Sequence, residues 1–193
     1  MISSTNRDAL VVVAASCGVR WASISLRKRR SFEKRTVPPM RTADLKKHPF
    51  ATLFTEGQLE KLLPLARWVE YQPGEALLRE GSDCDQFYLL VEGLVSIDLD
   101  LPGGGSRRLQ TEGAGTEIGW SWLFPPYEAT FDIRAVEPSK LIALDAAKLR
   151  NMMDTDQDFG NRVLKGMLKT FVGRLGQTRL QLLDIHSHRR VDK

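Results

Sequence analysis

Few residues in this chain combine the type and the spacing that chemistry needs. Cys84 sits in the loop Ser82-Asp83-Cys84-Asp85, where neighbouring carboxylates raise a thiol's pKa and blunt its nucleophilicity. His48 precedes Pro49 and reads as a loop residue. His186 and His188 are two apart, which does not put them on one helical face, so no metal is expected there. Asp154, Asp156 and Asp158 alternate as in a calcium loop, but the central glycine and terminal glutamate are missing. Acids at a helix start explain them better. No histidine has a partner at a spacing that would activate a nucleophile, so the expectation is a protein that is not an enzyme and holds no metal. What does stand out is aromatic: Trp120, Trp122, Phe124 and Tyr127 fall within eight residues. They suit a pocket for an apolar or planar ligand, or equally a closed core. Arg134, a little further on, reads as a paired strand residue rather than a ligand contact.

The elements that must position these residues are mostly strands. Short β-type segments at 68–71, 76–79, 86–91, 94–99, 107–111, 130–136 and 140–144 are cut by turn residues, among them Gly74, Gly81, Gly93 and Gly113. Short strands at this spacing argue a sandwich or barrel. A cupin would need inward-facing histidines, and residues 67–145 contain none. Before the strands, Phe50, Leu53, Phe54, Leu59, Leu62, Leu63 and Leu65 recur at helical spacing, with Thr55 as an N-cap. After them comes a short helix over 146–153. A proline-free stretch then runs from Asp158 to about Ile185, and its helix would be on the order of 40 Å long. Phe159, Val163, Met167, Phe171, Leu175 and Leu182 fall near heptad spacing along it, which predicts a seam for the same helix of a second chain, that is, a homodimer. The competing arrangement folds this stripe back across its own sandwich. Gly166, Gly173 and Gly176 lower helix propensity but permit close helix approach.

The chain has 193 residues, 42% apolar and 27% charged, and its net charge of +4 is unevenly spread. Residues 1–41 hold nine Lys/Arg against two acids; residues 42–193 hold 19 basic and 22 acidic side chains. A nucleic-acid argument from charge therefore rests on the N-terminal stretch alone. That stretch suits an organelle transit peptide, a basic patch for anionic lipid or nucleic acid, or a disordered tail ahead of a start at Met40. The tail is the favoured reading, because charge blocks are usually disordered and a well-formed pattern begins at once after Met40. The expected organisation is a basic extension over 1–41, a β domain over 42–157 and a long helix over 158–186. No apolar run approaches the roughly 18 residues of a membrane span, and a cytoplasmic location is expected. Two cysteines, Cys17 and Cys84, build neither a disulfide framework nor a CxxC site.

The order of features, with the local runs Val69-Glu70-Tyr71-Gln72-Pro73-Gly74-Glu75, Arg79-Glu80-Gly81-Ser82 and Phe87-Tyr88-Leu89-Leu90-Val91-Glu92-Gly93, resembles the cyclic nucleotide-binding domain. The match is to the effector domain of the bacterial catabolite activator/fumarate-nitrate regulator family, from about Phe50 to Leu183. The resemblance implies a mainly β, jelly-roll fold with flanking helices and a long C-terminal dimer helix. It also implies a ligand cassette between two late strands. There a Gly-Glu pair opens a short helix whose free N–H groups hold a cyclic phosphate. An arginine about ten residues on grips the same phosphate. Here the cassette reads Glu117-Ile118-Gly119-Trp120-Ser121-Trp122-Leu123-Phe124-Pro125-Pro126-Tyr127-Glu128-Ala129-Thr130. Gly119 fits the pattern, but Trp120 replaces the glutamate and no arginine follows before Arg134. Glu128 even brings a negative charge near the expected phosphate position. The cassette is similar to that of a divergent group of bacterial stand-alone domains with a Gly-Trp-Ser-Trp signature. The candidate pocket residues are Glu117, Ile118, Gly119, Trp120, Ser121, Trp122, Tyr127, Glu128 and Thr130. Only residues 186–193 follow the long helix, too few for the family's helix-turn-helix, so no direct DNA reading is expected. The functional expectation is a non-catalytic sensor or regulatory domain with a divergent cassette and no cofactor, signalling through its C-terminal helix to an unknown partner. The alternatives are a genuine cAMP or cGMP binder that uses Gly119, Ser121 and backbone amides, and a ligand-free interaction module with a basic membrane- or nucleic-acid-binding tail.

Overall fold

Two four-stranded antiparallel sheets and a layer of helices build the domain. The computed structural model describes residues 39–101 and 105–188, with Gln177 and residues 181–188 described by backbone only. In chain order the strands are β1 (Ala66–Tyr71), β2 (Ala76–Leu78), β3 (Gln86–Glu92), β4 (Leu94–Asp100), β5 (Ser106–Gly113), β6 (Glu117–Ile118), β7 (Asp132–Ala135) and β8 (Ser139–Asp145). One sheet has the order β1-β8-β3-β6 and the other β2-β7-β4-β5, a jelly-roll arrangement. Helices α1 (Thr42–Leu45) and α2 (Glu56–Leu62) precede the strands; α3 (Ala146–Thr155) and α4 (Gln157–His188) follow them. The two-residue β6, which leads directly into the cassette, has too few positions to show an alternation in sequence.

Local signals explain the boundaries. Thr55 and Gln58 form a reciprocal capping box at the start of α2, each side chain accepting from the other's backbone N–H. Gly93, at φ 99°, turns β3 into β4 so close to Ser139 that any Cβ would overlap that residue's backbone. Side chains alternate across each strand. Phe87 on β3 meets Phe50 and Trp122, with ring centroids 5.3 and 5.2 Å away. That face of the first sheet is therefore roofed by the N-terminal helical turns and by the cassette. Tyr88 and Leu90 occupy the opposite face, where the Tyr88 ring meets Tyr71 edge-on.

His48 lies in the bend after α1, as its sequence reads, but it is not a solvent-exposed loop residue. It is buried, its Nδ1 accepts from Phe50 N–H at 3.1 Å, and its Nε2 lies 3.3 Å from the Thr116 carbonyl. The ring thus joins the N-terminal turns to the segment leading into β6, with the proton on Nε2. Burial pulls its pKa down to about 4. A depressed histidine pKa means that the unfolded chain takes up the proton first. The stability held by the neutral ring is therefore complete above the ordinary value of 6.5 and is lost as pH falls towards 4. Chemical denaturation of the wild type between pH 7 and pH 4 should show a loss of about 3 kcal/mol that His48→Gln does not share.

Helix α4 corrects the expected seam. Asp156 Oδ1 accepts from Phe159 N–H at 3.0 Å and caps its start. Phe159 (0% exposed) stacks on Phe54 at 4.8 Å between centroids, and Val163 (0%) and Met167 (4%) are buried in the domain's own core. Phe171 is partly buried and packed against the same core. These four positions are covered from within the chain, so they are not free to pair with a second helix. The apolar stripe left open is a neighbouring one: Leu164 (46%), Leu168 (62%), Val172 (64%) and Leu175 (52%). Of the expected seam, Leu175 belongs to this open stripe, and Leu182 lies among the residues described by backbone only. Gly166 lies against Leu53, so tightly that a Cβ would displace that side chain, whereas Gly173 and Gly176 face open space. The reason for the error is the 3.6-residue period: a heptad-like reading of a long helix does not say which of two adjacent stripes meets the domain. Among the described residues no helix is long and apolar enough to cross a membrane. The expected N-terminal extension lies outside the described residues up to residue 38.

Candidate ligand cassette

The cassette is the segment between β6 and β7, and two loops hold it. Gly119 follows β6 at φ 84°, in the left-handed region, and starts a single 3-10 turn over Trp120–Leu123. A Cβ at this position would stand 3.2 Å from the Gln86 carbonyl and from Leu78, so both the backbone angle and the space call for glycine. Beyond the turn come the cis Pro125-Pro126 peptide and Tyr127 at φ 63°. The loop between β2 and β3 then pairs with the descending arm. Cys84 N–H donates to the Tyr127 carbonyl at 2.7 Å, Ala129 N–H to the Ser82 carbonyl at 2.8 Å, and Gly81 N–H to the Ala129 carbonyl at 2.8 Å. The Cys84 thiol donates to the Gly119 carbonyl at 3.2 Å. Cys84 thus touches both ends of the cassette. Its pKa is pushed up to about 11, chiefly by burial, with Asp85 adding less. The sequence foresaw the direction but credited the flanking acids. The thiol is a structural clasp, poorly suited to be a nucleophile.

The aromatic cluster divides. Trp122 is fully buried on Phe87, and its indole N–H has no hydrogen-bond partner among the described residues. Its carbonyl accepts from the Arg150 guanidinium at 2.5 Å, and that guanidinium lies 4.1 Å from the centre of the Tyr127 ring. Trp122 is therefore core, Tyr127 is held by α3, and Phe124 points to solvent. Trp120 turns away from both. Its Nε1–H donates to the Glu117 carbonyl at 2.9 Å, its ring meets Phe171 of α4 edge-on at 4.2 Å, and the Arg174 guanidinium lies 4.0 Å from the ring centre. Arg174 also pairs with Glu112 at 3.2 Å and reaches the Glu117 carbonyl at 3.4 Å. Thr170 donates to the Glu117 carboxylate at 3.4 Å. Burial raises the Glu117 carboxyl and lowers the Arg174 guanidinium from their ordinary pKa values. Glu117 and Trp120 thus belong to the cassette–α4 junction. Sequence reading missed Arg174 and Glu112 there, because nothing in their local spacing marks them.

The remaining candidates range from the core to the surface. Ile118 is buried, and the Ser121 and Thr130 hydroxyls lie 3.3 Å apart at the exposed mouth. Glu128 is exposed, and its backbone bridges to Asp83. Arg134 is bonded to Asp132 on β7. It alternates with the core residues Ile133 and Ala135, so it lies on the face away from the core, as a paired strand residue. An open cavity of about 330 Å³ lies along the β2–β3 loop, lined by Leu78, Arg79, Ser82, Gln86 and Tyr88 among others. Among the described residues no group of acids, histidines and cysteines is arranged to hold a metal ion. The cassette's equipment is a tight turn, a pair of hydroxyls and a direct mechanical joint to a helix.

Residues 68–156 match the family model of the cyclic nucleotide-binding domain. This segment belongs to that family. The rest of the described chain extends the domain with α1, α2 and α4. A putative cyclic nucleotide-binding protein from Geobacter metallireducens is similar in structure, with TM-score 0.64 and 24% identity, covering 70% of this chain and 98% of that one. The catabolite activator protein of Thermus thermophilus superposes with TM-score 0.55 at 20% identity, covering 70% of this chain and 63% of that one. These likenesses show the shared fold. A putative potassium channel protein of Rhodopseudomonas palustris is 25% identical over 115 residues, 60% of this chain. The chain spans only 27% of that relative's length. Relative to the family's cassette pattern, the cyclic nucleotide-binding domain here keeps Gly119, has Trp120 in place of the glutamate, and has no arginine between Pro126 and Arg134.

Proposed function

We propose that this chain is a non-catalytic regulatory domain whose divergent cassette does not hold a cyclic nucleotide by the family's anchors, and whose output is the position of α4. The observation that carries this reading is the place of Trp120. Trp120, which stands where the family pattern has a glutamate, is committed instead to Phe171 and Arg174 on α4. A change at the cassette therefore acts on the helix through packed side chains, and a ligand acts to the extent that it favours one arrangement over another. The open stripe Leu164, Leu168, Val172 and Leu175 supports pairing of α4 with a second copy of the chain, since so continuous an apolar face is costly in water. Sedimentation velocity of the full chain at rising concentration should show a monomer–dimer equilibrium with a micromolar or tighter constant. A single monomeric boundary at about 100 μM would remove the pairing from this account.

A second reading, binding of cAMP or cGMP, is favoured by the left-handed Gly119 and by the hydroxyls of Ser121 and Thr130 at the mouth. It would have to hold a phosphate without the family's cassette arginine, at a cost in affinity. The third reading, an interaction module with a basic tail, concerns residues outside the described ones. The cytoplasmic location follows as part of the regulatory reading.

A further inference from the structure

We propose that Arg174 is a latch that locks α4 to the cassette through protein contacts alone. It deepens the regulatory reading, in which α4 is the output, by naming the contact that sets the helix's resting position. Three groups converge on the one guanidinium: the Trp120 ring at 4.0 Å, the Glu112 carboxylate at 3.2 Å and the Glu117 carbonyl at 3.4 Å. They come from three places in the fold, the cassette turn, β5 and β6. The clamp is braced on both sides. Gln110 donates to the Glu112 carboxylate at 2.8 Å and Thr116 at 3.3 Å. One turn earlier on α4, Thr170 reaches Glu117 and Phe171 packs on Trp120. Arg174 and Glu112 are both largely shielded, with side-chain exposures of 21% and 17%. A guanidinium so placed is worth more than a surface ion pair, because stacking and charge-assisted bonding act on one rigid plane away from bulk water. Beyond Arg174 every described side chain of α4 is exposed, Leu175, Thr178, Arg179 and Leu180 included. Arg174 is therefore the last described point at which the helix is held to its own domain. The clamp is complete from protein atoms, so a ligand would act on α4 by breaking or reinforcing it.

Hydrogen-exchange mass spectrometry on the full chain tests this, with Arg174→Met, Glu112→Gln, Trp120→Phe and the double change Trp120→Phe/Arg174→Met. Arg174→Met keeps the apolar stem and removes the charged plane. Peptides covering residues 166–178 should exchange at least about tenfold faster in R174M, with β3 and β8 peptides within about twofold of wild type. E112Q should move the same peptides by less. The double variant should exchange faster than R174M by less than the sum of the two single effects, because part of what Trp120 holds is the Arg174 stack. Should R174M not give folded protein, Arg174→Lys serves, since an ammonium keeps the charge but loses the planar stack; it should release the same peptides partway. Unchanged exchange at 166–178, acceleration of β3 and β8 to the same degree, or additive effects in the double variant would each overturn the latch. Sedimentation of the same variants reads the output separately. Released α4 with an unaltered dimer constant would leave the latch standing and contradict the regulatory reading.

Discussion

Trp122→Ala should cost about 3–5 kcal/mol in chemical denaturation, the largest stability effect expected of any single cassette change. The indole is fully buried against Phe87, which in turn packs on Phe50. Removing it opens a cavity shared by the cassette, the first sheet and the N-terminal turns. Against a typical domain stability of about 5–15 kcal/mol, that loss threatens folding itself. Trp122→Phe separates packing from polarity. It removes an indole N–H that has no hydrogen-bond partner among the described residues, and a buried donor without a partner costs about 1–3 kcal/mol. Phenylalanine should therefore lose clearly less than the volume change alone would suggest. If both variants lose the same amount, the indole N–H has found a partner and the site is not dry.

Leu168→Asp combined with Val172→Asp should weaken self-association by at least about 100-fold, read by sedimentation equilibrium. Both side chains are more than half exposed in the single chain, so the change should leave the monomer's fold intact by circular dichroism. Burying each against a second helix would contribute about 1.5–3 kcal/mol, and a symmetric pair loses the contribution twice. Charges placed in the same seam repel as well. The contrast is Val163→Asp, which by its burial should unfold the domain rather than dissociate it. This pair of results distinguishes the open stripe from the one that the heptad-like spacing first suggested.

Much of the fold was legible because turn residues and alternation act locally. Gly93 marks the β3–β4 turn, and Thr55 caps α2 with Gln58 three residues on, each from a few neighbouring residues. The cassette's position was legible for a different reason: Gly119 and the runs before it carry a family pattern, and residues 68–156 match that family. What the aromatic residues do was not legible. Trp120 and Trp122 are two apart, yet one is sealed in the core and the other faces α4. That division depends on where a 3-10 turn points each side chain and on a helix some 50 residues away. Arg174 is separated from Glu112 and Trp120 by the same stretch of chain, so only the folded arrangement shows the three together. His48 and Cys84 do lie in loops, but their burial was not visible in their neighbours. Each is a buried clasp between segments distant in sequence.

On the proposed reading, this cassette is organised by its own side chains and by α4 instead of a cyclic phosphate. Isothermal titration calorimetry of the full chain with cAMP and with cGMP tests it most directly. No saturable heat is expected up to about 1 mM of either nucleotide, a limit of about −4 kcal/mol in binding free energy. A saturable isotherm with a micromolar constant for either one would contradict it.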